Sequence, residues 1–396
     1  MKKLLVIVPD RISQILQKGE YQPDYYNPGR LFDEVHILMT NDDRPDANQL
    51  QRTVGNARLF VHNHPETSEL IVRRWSWFGH RGLRVWADRG VEIARRIRPE
   101  LIRCHGADWN AYLASRIKRT LGIPYVVSLH INPDVNPPRR FVHSQLDDSE
   151  RRHNQFFEYL EREGLRNADL VMPVYQPIVP YLRRMGVTRF QVCYNILNRG
   201  FLTPKADYRL GSPVRIVCVG RLFDKKDPTN IIRAVAQIPG VELTVIGDGP
   251  KRHDLEALVR HLGATDQILF EPAVPNDDLC RRLPRYDIFA VHTEYWEINK
   301  SVLEALLTGL PVIVNRRNGP PVPELEGDFV LKVENTVEGY RSAIQRLIAD
   351  HDFRASLGRL AQCHARERWS PERTEAEVVT VYQNVVNGKA HNASTH

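Results

Sequence analysis

The chain is organised around residues 296–314, which read WEINKSVLEALLTGLPVIV. Ser301 and Glu304 stand three residues apart, which is the pattern of a capping box at the start of a helix. Gly309 stands where such a helix would end. Residues 312–314 are a β-branched run, typical of a strand that is buried on both faces of a parallel sheet. The stretch therefore predicts a polar loop, a short helix, a glycine stop and a buried parallel strand.

The start of this helix is a predicted anion site. A helix N-terminus that follows a polar loop directs unpaired N–H groups and the positive end of its dipole at a ligand, and phosphate suits both. We expect Glu297, Lys300 and Glu304 to cluster there. The N–H groups around Lys300, Ser301 and Val302 are expected to face the anion. Taken alone, Ser301 and Glu304 also fit a purely structural cap.

The same stretch resembles the donor-binding signature of retaining glycosyltransferases of family 4, the glycosyl transferases group 1, which have the GT-B fold. Members read roughly Glu-Gly-Phe-Gly-x-x-x-x-Glu-Ala-x-x-x-Gly-x-Pro-Val, and residues 301–312 match this pattern. One position departs. The family places its first Glu eight residues before the second, where this chain has Trp296, whereas Glu297 stands seven before Glu304. Either Glu297 takes that role after a local shift, or the contact to the donor sugar differs.

A second part of the family signature follows a strand predicted from residue 214. Gly220 and Arg221 come after the strand, and Lys226 stands five residues after Arg221. Two fixed cations can stabilise the charge that a leaving nucleoside diphosphate gains, where other folds use a metal ion. A solvated basic turn is the structural alternative. The resemblance implies a UDP- or GDP-linked sugar as donor and no cofactor. No metal is expected either, since no Asp-x-Asp pair stands in a suitable loop.

The resemblance also assigns roles to single residues. Glu304 would accept the ribose hydroxyls, because two carboxylate oxygens suit a vicinal diol. Glu297 would order the donor-sugar hydroxyls. His130 stands at the carboxyl end of a strand, where α/β sheets bind ligands, and would contact the sugar near its reacting carbon; His105 is a weaker candidate. The remaining donor-binding candidates are glycines in loops and one backbone position: Gly29, Gly220, Gly249 and Val274.

Composition fits two soluble domains. The chain has 396 residues, of which 42% are hydrophobic, enough for two cores. Five scattered cysteines without a C-x-x-C pair favour a reducing compartment and argue against disulfides or a zinc site. The first apolar run is short and ends at Pro9, so we interpret it as a strand rather than a signal peptide. No run approaches the ~20 apolar residues of a spanning helix, and we expect a cytoplasmic protein.

Positive charge is concentrated in the first half. Residues 1–200 hold 30 Lys and Arg against 22 Asp and Glu, whereas residues 201–396 hold 25 against 26. Because donor recognition maps to the second half, the surplus predicts an anionic partner for the first, such as a phosphorylated acceptor, a membrane surface or nucleic acid. The resemblance favours a glycan, lipid-linked or lipopolysaccharide-type acceptor and a peripheral position at the inner membrane face, without a nucleic acid partner.

One segment, RRWSWFGHR at residues 73–81, combines aromatic and basic side chains. Interleaved Trp and Arg suit an interfacial membrane contact or an aromatic acceptor groove. A core helix edge with snorkelling arginines is the structural alternative. The side chains on which the prediction depends are Arg73, Arg74, Trp75, Trp77, Phe78 and Arg81.

Taken together, the sequence predicts an α/β protein of the GT-B fold, with two Rossmann-like parallel-sheet domains that face each other across a cleft. The predicted parts are an acceptor-side domain at residues 1–197, completed by a C-terminal helix at 370–388; a linker at 198–213; and a donor-binding domain at 214–369.

The predicted reaction is retaining glycosyl transfer, and three alternatives stay open. A GT-B sugar-nucleotide epimerase is one. A phosphorylase is another, and it would need a pyridoxal-bearing lysine. The third is a non-catalytic relative that binds nucleotide sugar as a regulatory or scaffolding module, which the Trp296 departure keeps in consideration.

Overall fold

The computed structural model describes residues 1–17, 22–66, 77–135, 140–141, 144–197 and 200–388. The chain divides into two units, and the last helix belongs to the first of them. Unit 1 is Met1–Ile196 together with Thr374–His396, and unit 2 is Leu197–Arg373.

Unit 1 is built on six parallel strands. They are β1 (Lys3–Val8), β2 (Glu34–Met39), β3 (Arg58–Asn63), β4 (Leu101–His105), β5 (Tyr125–Leu129) and β6 (Leu170–Pro173). They pair in the order β3-β2-β1-β4-β5-β6. The inner strands are buried along almost their whole length, which is why they read as continuous apolar runs rather than alternating ones. The edge strand β3 alternates between exposed and half-buried residues.

Helices connect these strands. In unit 1 they are α1 (Ile12–Gln17), α2 (Ala47–Gln51), α3 (Trp77–Ile97), α4 (Trp109–Leu121), α5 (Asp148–Arg166) and α6 (Val179–Arg184). The start of α5 shows how local sequence places a boundary. Asp147 accepts a hydrogen bond from the Glu150 N–H, and the Glu150 carboxylate accepts one from the Asp147 N–H, so a true capping box begins the helix there.

Unit 2 repeats the arrangement. Its strands are β7 (Val214–Val219), β8 (Val241–Ile246), β9 (Ile268–Glu271), β10 (Ile288–Val291), β11 (Val312–Asn315) and β12 (Leu331–Val333). They are parallel, in the order β12-β11-β10-β7-β8-β9. The helices are α7 (Thr229–Val235), α8 (Arg252–His261), α9 (Asn276–Arg282), α10 (Lys300–Thr308), α11 (Val337–Ala349) and α12 (His351–Trp369). The predicted α/β architecture of two parallel-sheet domains is confirmed.

Strand order places a ligand crevice in each sheet. The connections run outward in opposite directions from the central strands, so the order reverses between β1 and β4 in unit 1 and between β7 and β10 in unit 2. In open parallel sheets, ligands bind beyond the carboxyl ends of the strands at such a reversal. The loops that follow these four strands are therefore the first places to look for a site.

The last helix, α13 (Pro371–Val386), completes the core of unit 1. Val378, Val381 and Tyr382 are buried in the same cluster as residues of β1 and β2. Gly29 lies against this helix: its N–H donates to Glu375 Oε1 at 2.9 Å, and a Cβ on it would stand 2.6 Å from Val379 Cγ2. These contacts give Gly29 a packing role. They do not support the predicted donor-binding role, which stays a prediction.

The structure corrects one interpretation of residues 296–314. The N-cap of α10 is Asn299, whose side chain makes no capping bond. Ser301 lies inside the first turn, and its hydroxyl donates to the Val219 carbonyl at 3.2 Å. The predicted capping box is therefore wrong, because Ser301 bonds to the end of β7 instead. The predicted stop is confirmed, since Gly309 caps the helix with φ 86°.

No helix in the described ranges combines the length and apolarity that crossing a bilayer requires. All five cysteines lie in described parts of the chain and are free thiols, and only Cys363 among them is exposed.

Candidate functional site

Two loops meet at the strand-order reversal of unit 2. The loop after β7 carries Arg221 and a short 3-10 turn over Asp224–Lys226, and the loop after β10 carries Glu297. The Glu294 N–H donates to the Lys225 carbonyl at 2.8 Å, which joins the two loops. Arg221, Lys226 and Glu297, predicted from separate motifs, are thereby brought to one place.

Lys226 is held over an aromatic ring. Its ammonium lies 4.8 Å from the centroid of Tyr295, and the Arg221 guanidinium lies 5.4 Å from the centroid of Phe223. The two rings meet edge to face at 6.2 Å. Cation–π contacts of this kind orient a cation without neutralising it, so both charges stay available to an anionic ligand.

Burial dominates the electrostatics of this group. It raises the pKa of Glu297, against the opposing effect of Lys226 and Arg221, and Glu324 raises it further. Burial also lowers the pKa of Lys226, with Glu297 opposing and Arg221 adding to the shift. A bound diphosphate would favour the charged form of Lys226, so its negative charge would relieve the cost of burying this lysine.

The loop after β8 lies directly on the loop after β7. A Cβ on Gly247 would stand 2.0 Å from the Gly220 carbonyl oxygen, and one on Gly249 would stand 2.2 Å from the Leu222 carbonyl oxygen. The Leu222 N–H donates to the Asp248 carbonyl at 2.9 Å. Gly249 therefore packs against the loop that carries Gly220 and Arg221. Its contribution to the predicted donor site is indirect, because it positions that loop.

This packing gives a stability prediction. Gly247→Ala should destabilise the protein by about 3 kcal/mol or more, because the new methyl overlaps a backbone carbonyl at φ 144°. Gly240→Ala is the matched control: its φ is 74° and no atom lies within 4 Å of its Cβ position, so it should lose only about 1–2 kcal/mol. Urea unfolding of both variants measures the difference, and equal losses would contradict the packing argument.

Two residues that the site predictions did not name, Asp248 and Arg252, organise the loop of Val274, a predicted donor-binding position. The Ala273 N–H donates to Asp248 Oδ2 at 2.8 Å, and this bond contributes most to lowering the pKa of Asp248. Arg252 donates to the carbonyls of Gly247 and Glu271, each at 3.1 Å. The ends of β8 and β9 are thus tied together, which holds the half-buried Val274 loop in place. In the sequence, only the i,i+4 spacing of Asp248 and Arg252 indicated that these two residues interact.

Glu304 is almost fully buried, at 1% exposure. Asn276 donates to its Oε1 at 2.7 Å, and the Lys300 ammonium lies 3.7 Å from the same oxygen. Burial raises the pKa of Glu304, and Lys300, Asn276 and Cys280 oppose that shift. A ribose could reach this carboxylate only by replacing one of these partners.

The predicted N–H groups at the start of α10 do not all face outward. Val302 is buried and its N–H donates to the Asn299 carbonyl at 3.0 Å. Lys300 and Ser301 are half-buried in the first turn. In this structure the Val302 N–H is thus used within the first turn, and its predicted contact with an anion stays a prediction.

In unit 1, His130 lies where predicted, directly after β5. Its ring stacks on His105, with centroids 5.5 Å apart and planes at 12°. Burial, with a smaller effect of Arg103, lowers the pKa of His130 to about 4 and holds the pKa of His105 well below its usual range. Both rings are neutral at pH 7. The Nε2 atoms of both are buried and have no hydrogen-bond partner among the described residues.

Both histidines line a cavity of about 310 Å³ at the strand-order reversal of unit 1, a volume at the lower end of those known for ligand pockets. Tyr25 and Tyr26 contribute aromatic walls, and most of the remaining lining is apolar. Three lining side chains carry carboxylates, namely Asp10, Asp108 and Glu161. Within the described parts of the chain, no Lys or Arg lines the cavity.

Part of the predicted aromatic and basic surface cannot be placed. Arg73, Arg74 and Trp75 lie outside the described residues, as do the side chains of Trp77 and Phe78. Arg81 is exposed on α3. Nor do the described residues bring together three His, Cys, Asp or Glu side chains that could hold a metal ion.

Comparison with known proteins identifies the class. Anabaena HepE, solved in complex with UDP and glucose, superposes with a TM-score of 0.67 at 16% identity, covering 97% of this chain and 100% of that one. The profile described as "Glycosyl transferases group 1" matches residues 205–363, and that described as "Glycosyl transferase 4-like domain" matches residues 29–195. The two sheets are those of the GT-B fold, and the chain belongs to the group 1 glycosyltransferases.

Curated relatives share shorter stretches. The lipopolysaccharide core biosynthesis glycosyltransferase LpsE of Rhizobium meliloti is 32% identical over 198 residues, which cover 48% of this chain and 57% of LpsE. The 2-deoxystreptamine glucosyltransferase of Streptomyces kanamyceticus is 28% identical over 242 residues, 56% of this chain and 61% of the relative. The chain thus matches about three fifths of the length of each of these relatives.

Proposed function

We propose that the protein is a retaining glycosyltransferase that moves a sugar from a UDP- or GDP-linked donor, without a metal ion, to a glycan or lipid-linked acceptor. The observation that carries this proposal is the convergence of Arg221, Lys226 and Glu297 at the strand-order reversal of unit 2. Two cations and a half-buried carboxylate suit a diphosphate with a hydroxyl-bearing sugar attached. The UDP bound by HepE is consistent with this class of donor.

Each residue has a role in the proposed reaction. Arg221 and Lys226 neutralise the leaving diphosphate. Glu297 accepts hydrogen bonds from donor-sugar hydroxyls, and Glu304 accepts them from the ribose. His130 contacts the sugar as a neutral ring, because its low pKa makes it a poor proton carrier near pH 7. The acceptor attacks from the face that the diphosphate leaves, and the departing phosphate takes the acceptor proton.

The cavity of unit 1 is the proposed acceptor site, and its lining narrows the acceptor. Aromatic walls and neutral imidazoles suit the apolar face and the hydroxyls of a sugar ring. Glu161 is paired with the buried Arg140. Among the lining carboxylates, Asp10 and Asp108 therefore oppose a phosphate, and no Lys or Arg among the described residues lines the cavity to attract one. The reacting end of the acceptor is therefore an uncharged sugar, and the surplus of positive charge serves another purpose. LpsE, by its name, acts in lipopolysaccharide core synthesis, which fits a glycan-type acceptor.

The positive surplus is proposed to hold the protein at an anionic membrane surface on the cytoplasmic side. On α3, Arg81, Arg84, Arg89 and Arg96 are exposed. The exposed carboxylates of the same helix, Asp88 and Glu92, are paired with Arg116 and Arg95. Each basic residue near such a surface contributes about 1 kcal/mol, and salt screens the effect. Co-sedimentation with anionic vesicles at low and high ionic strength tests this; protein that stays in the supernatant at low salt contradicts it.

Thermal unfolding with a panel of ligands tests the proposed donor. UDP, GDP and their sugars are compared at one common concentration, where a ligand present at 100 times its dissociation constant adds about 2.7 kcal/mol and one base should stabilise clearly more than the other. CMP and ADP serve as controls for unspecific phosphate binding. Equal or absent stabilisation by all of them would contradict the donor assignment. Slow hydrolysis of the preferred donor would then separate an enzyme from a non-catalytic binding module.

The acceptor site has a separate test. Saturation-transfer NMR should detect methyl glycosides of neutral hexoses but not hexose phosphates. Ala107→Leu should abolish that signal, because Ala107 is buried in the cavity wall and the larger side chain fills the space. Nucleotide affinity should stay unchanged, since Ala107 belongs to unit 1. Preferential binding of the phosphorylated sugars would overturn the uncharged-acceptor proposal.

A further inference from the structure

We propose that His292 is a positioning residue for the diphosphate site, whose neutral ring holds the turn that carries Lys226. The proposal rests on the donor site proposed above. His292 follows β10 directly and is buried. The N–H of Asp227, the residue after Lys226, donates to His292 Nδ1 at 3.0 Å. A nitrogen that accepts a hydrogen bond carries no proton, so the neutral ring is protonated on Nε2.

This bond is one of two that flank Lys226. On one side, the Lys225 carbonyl accepts the Glu294 N–H at 2.8 Å, and on the other, the Asp227 N–H bonds to His292. Both partners belong to the loop after β10, which also carries Glu297. The two hydrogen bonds therefore set the distance between Lys226 and Glu297. Both side chains can bind the donor at the same time only at a suitable distance.

The Asp227 side chain is occupied elsewhere. Its carboxylate pairs with Lys251 at 2.6 Å and accepts from the Thr229 hydroxyl at 2.6 Å. The Asp227 carboxylate anchors the start of α7. It therefore cannot take over the role of His292, which holds the backbone N–H of Asp227. The Asp227 N–H has no other bond among the described contacts, and without His292 this part-buried donor would be left unpaired.

The tautomer makes this contact sensitive to pH. The charged groups that face the ring are Glu294, whose Oε1 lies 3.8 Å from Nε2; Asp227; Lys251; and Lys226, which lines the same small cavity. Burial lowers the pKa of His292, while Glu294 and Asp227 oppose this. The ring is therefore neutral at pH 7. Protonation in acid would remove the acceptor at Nδ1 and add a cation beside Lys226.

Three substitutions separate the acceptor from the bulk of the ring. His292→Asn places an amide oxygen where Nδ1 stands, His292→Gln places one where Nε2 stands, and His292→Leu keeps volume without an acceptor. Calorimetric titration with UDP and GDP gives the affinities at about pH 7.5 and in a series of steps down to about pH 4.5, because burial holds the pKa of His292 below the ordinary histidine value of ~6.5. Each variant is compared with wild type at the same pH, which cancels titration of the nucleotide and of Glu297.

At the higher pH, the dissociation constant of His292→Asn should stay within about threefold of wild type. His292→Leu and His292→Gln should bind about tenfold more weakly, which is the effect of one lost hydrogen bond. Once the pH falls below the lowered pKa of His292, nucleotide binding by wild type should weaken, whereas binding by His292→Asn should weaken only as far as titration of the nucleotide and of Glu297 requires. Three outcomes would overturn the proposal. They are nucleotide binding by His292→Asn that is as weak as that by His292→Leu, binding by His292→Leu that is as tight as that by wild type, and a pH dependence of binding that is the same for wild type and His292→Asn.

Failure of the donor proposal would be visible separately. If wild type binds neither nucleotide, the hydrogen bond is read directly from exchange of the Asp227 amide proton, which should be protected in wild type and His292→Asn and unprotected in His292→Leu. An Asp227 amide that exchanges freely in wild type overturns the positioning role whatever the ligand. Should the Leu variant not fold, the Gln variant and the wild-type pH dependence decide.

Discussion

Lys226→Ala is expected to lower turnover by about 100- to 1,000-fold, the usual effect of removing one preorganised charge donor from a developing anion. Lys226 is half-buried beside Glu297 and over Tyr295, so no solvent ion can take its place at low cost. The fold should survive, because the lysine makes no backbone-stabilising side-chain bond among the described contacts. Steady-state release of nucleoside diphosphate from the preferred donor measures the effect.

The adjacent lysine is the matched control. Lys225 belongs to the same 3-10 turn but is exposed, and only its backbone carbonyl joins the loops. Lys225→Ala should therefore stay within about twofold of wild type, as surface substitutions usually do. If both variants lose activity equally, the effect belongs to the turn and not to the charge. If neither loses activity, Lys226 is not the phosphate ligand.

Glu297→Gln should reduce kcat/KM by about 10- to 100-fold, the size of a hydrogen bond to a charged group. Burial raises the pKa of Glu297, so the ionised form that accepts sugar hydroxyls is lost at a higher pH than for an ordinary carboxyl. Wild-type activity should accordingly fall as pH decreases toward the acid side of neutrality. The Gln variant should lack this limb, which a pH–rate profile shows directly.

Trp296 provides the comparison. It stands at the position where the family has its first Glu, and its ring lies 5.9 Å from that of Tyr295. Trp296→Phe keeps an aromatic contact and should be mild, within about threefold if Glu297 has taken over the sugar contact. The reverse ranking of the two variants would mean that Trp296 recognises the donor sugar and that this chain departs from its family there.

The periodicity of apolar residues and the spacing of motifs were sufficient to predict the two sheets. They also predicted the loops that carry Arg221, Lys226 and Glu297. Buried parallel strands read as apolar runs, and their carboxyl ends define where a site can form. The start of α10 was misread because Ser301 and Glu304 satisfy a capping pattern locally, while their actual partners, Val219 and Asn276, are distant in sequence. Local patterns do not report such tertiary competition.

Other features have no local signature. Gly249 fits a donor loop by motif, yet the structural reason for a glycine there is the close approach of the Leu222 carbonyl from the loop after β7. His292 looks like an ordinary core histidine until the Asp227 N–H is seen to bond with it. The acidic lining of the unit 1 cavity could not be predicted from the positive surplus of the same half of the chain. Net charge describes a whole surface and does not give the charge of one cavity within it.

The place of α13 has a consequence for biosynthesis. Residues near position 380 complete a core whose first strand begins at Lys3, so the ribosome releases the final piece of unit 1 only after all of unit 2 has emerged. Domains generally fold as units during synthesis, and unit 2 can do so from one uninterrupted segment. Until then, the surface of the N-terminal sheet that Val378 and Tyr382 cover stays exposed on the nascent chain. A chain truncated before residue 374 would keep all of unit 2 but leave unit 1 without most of α13.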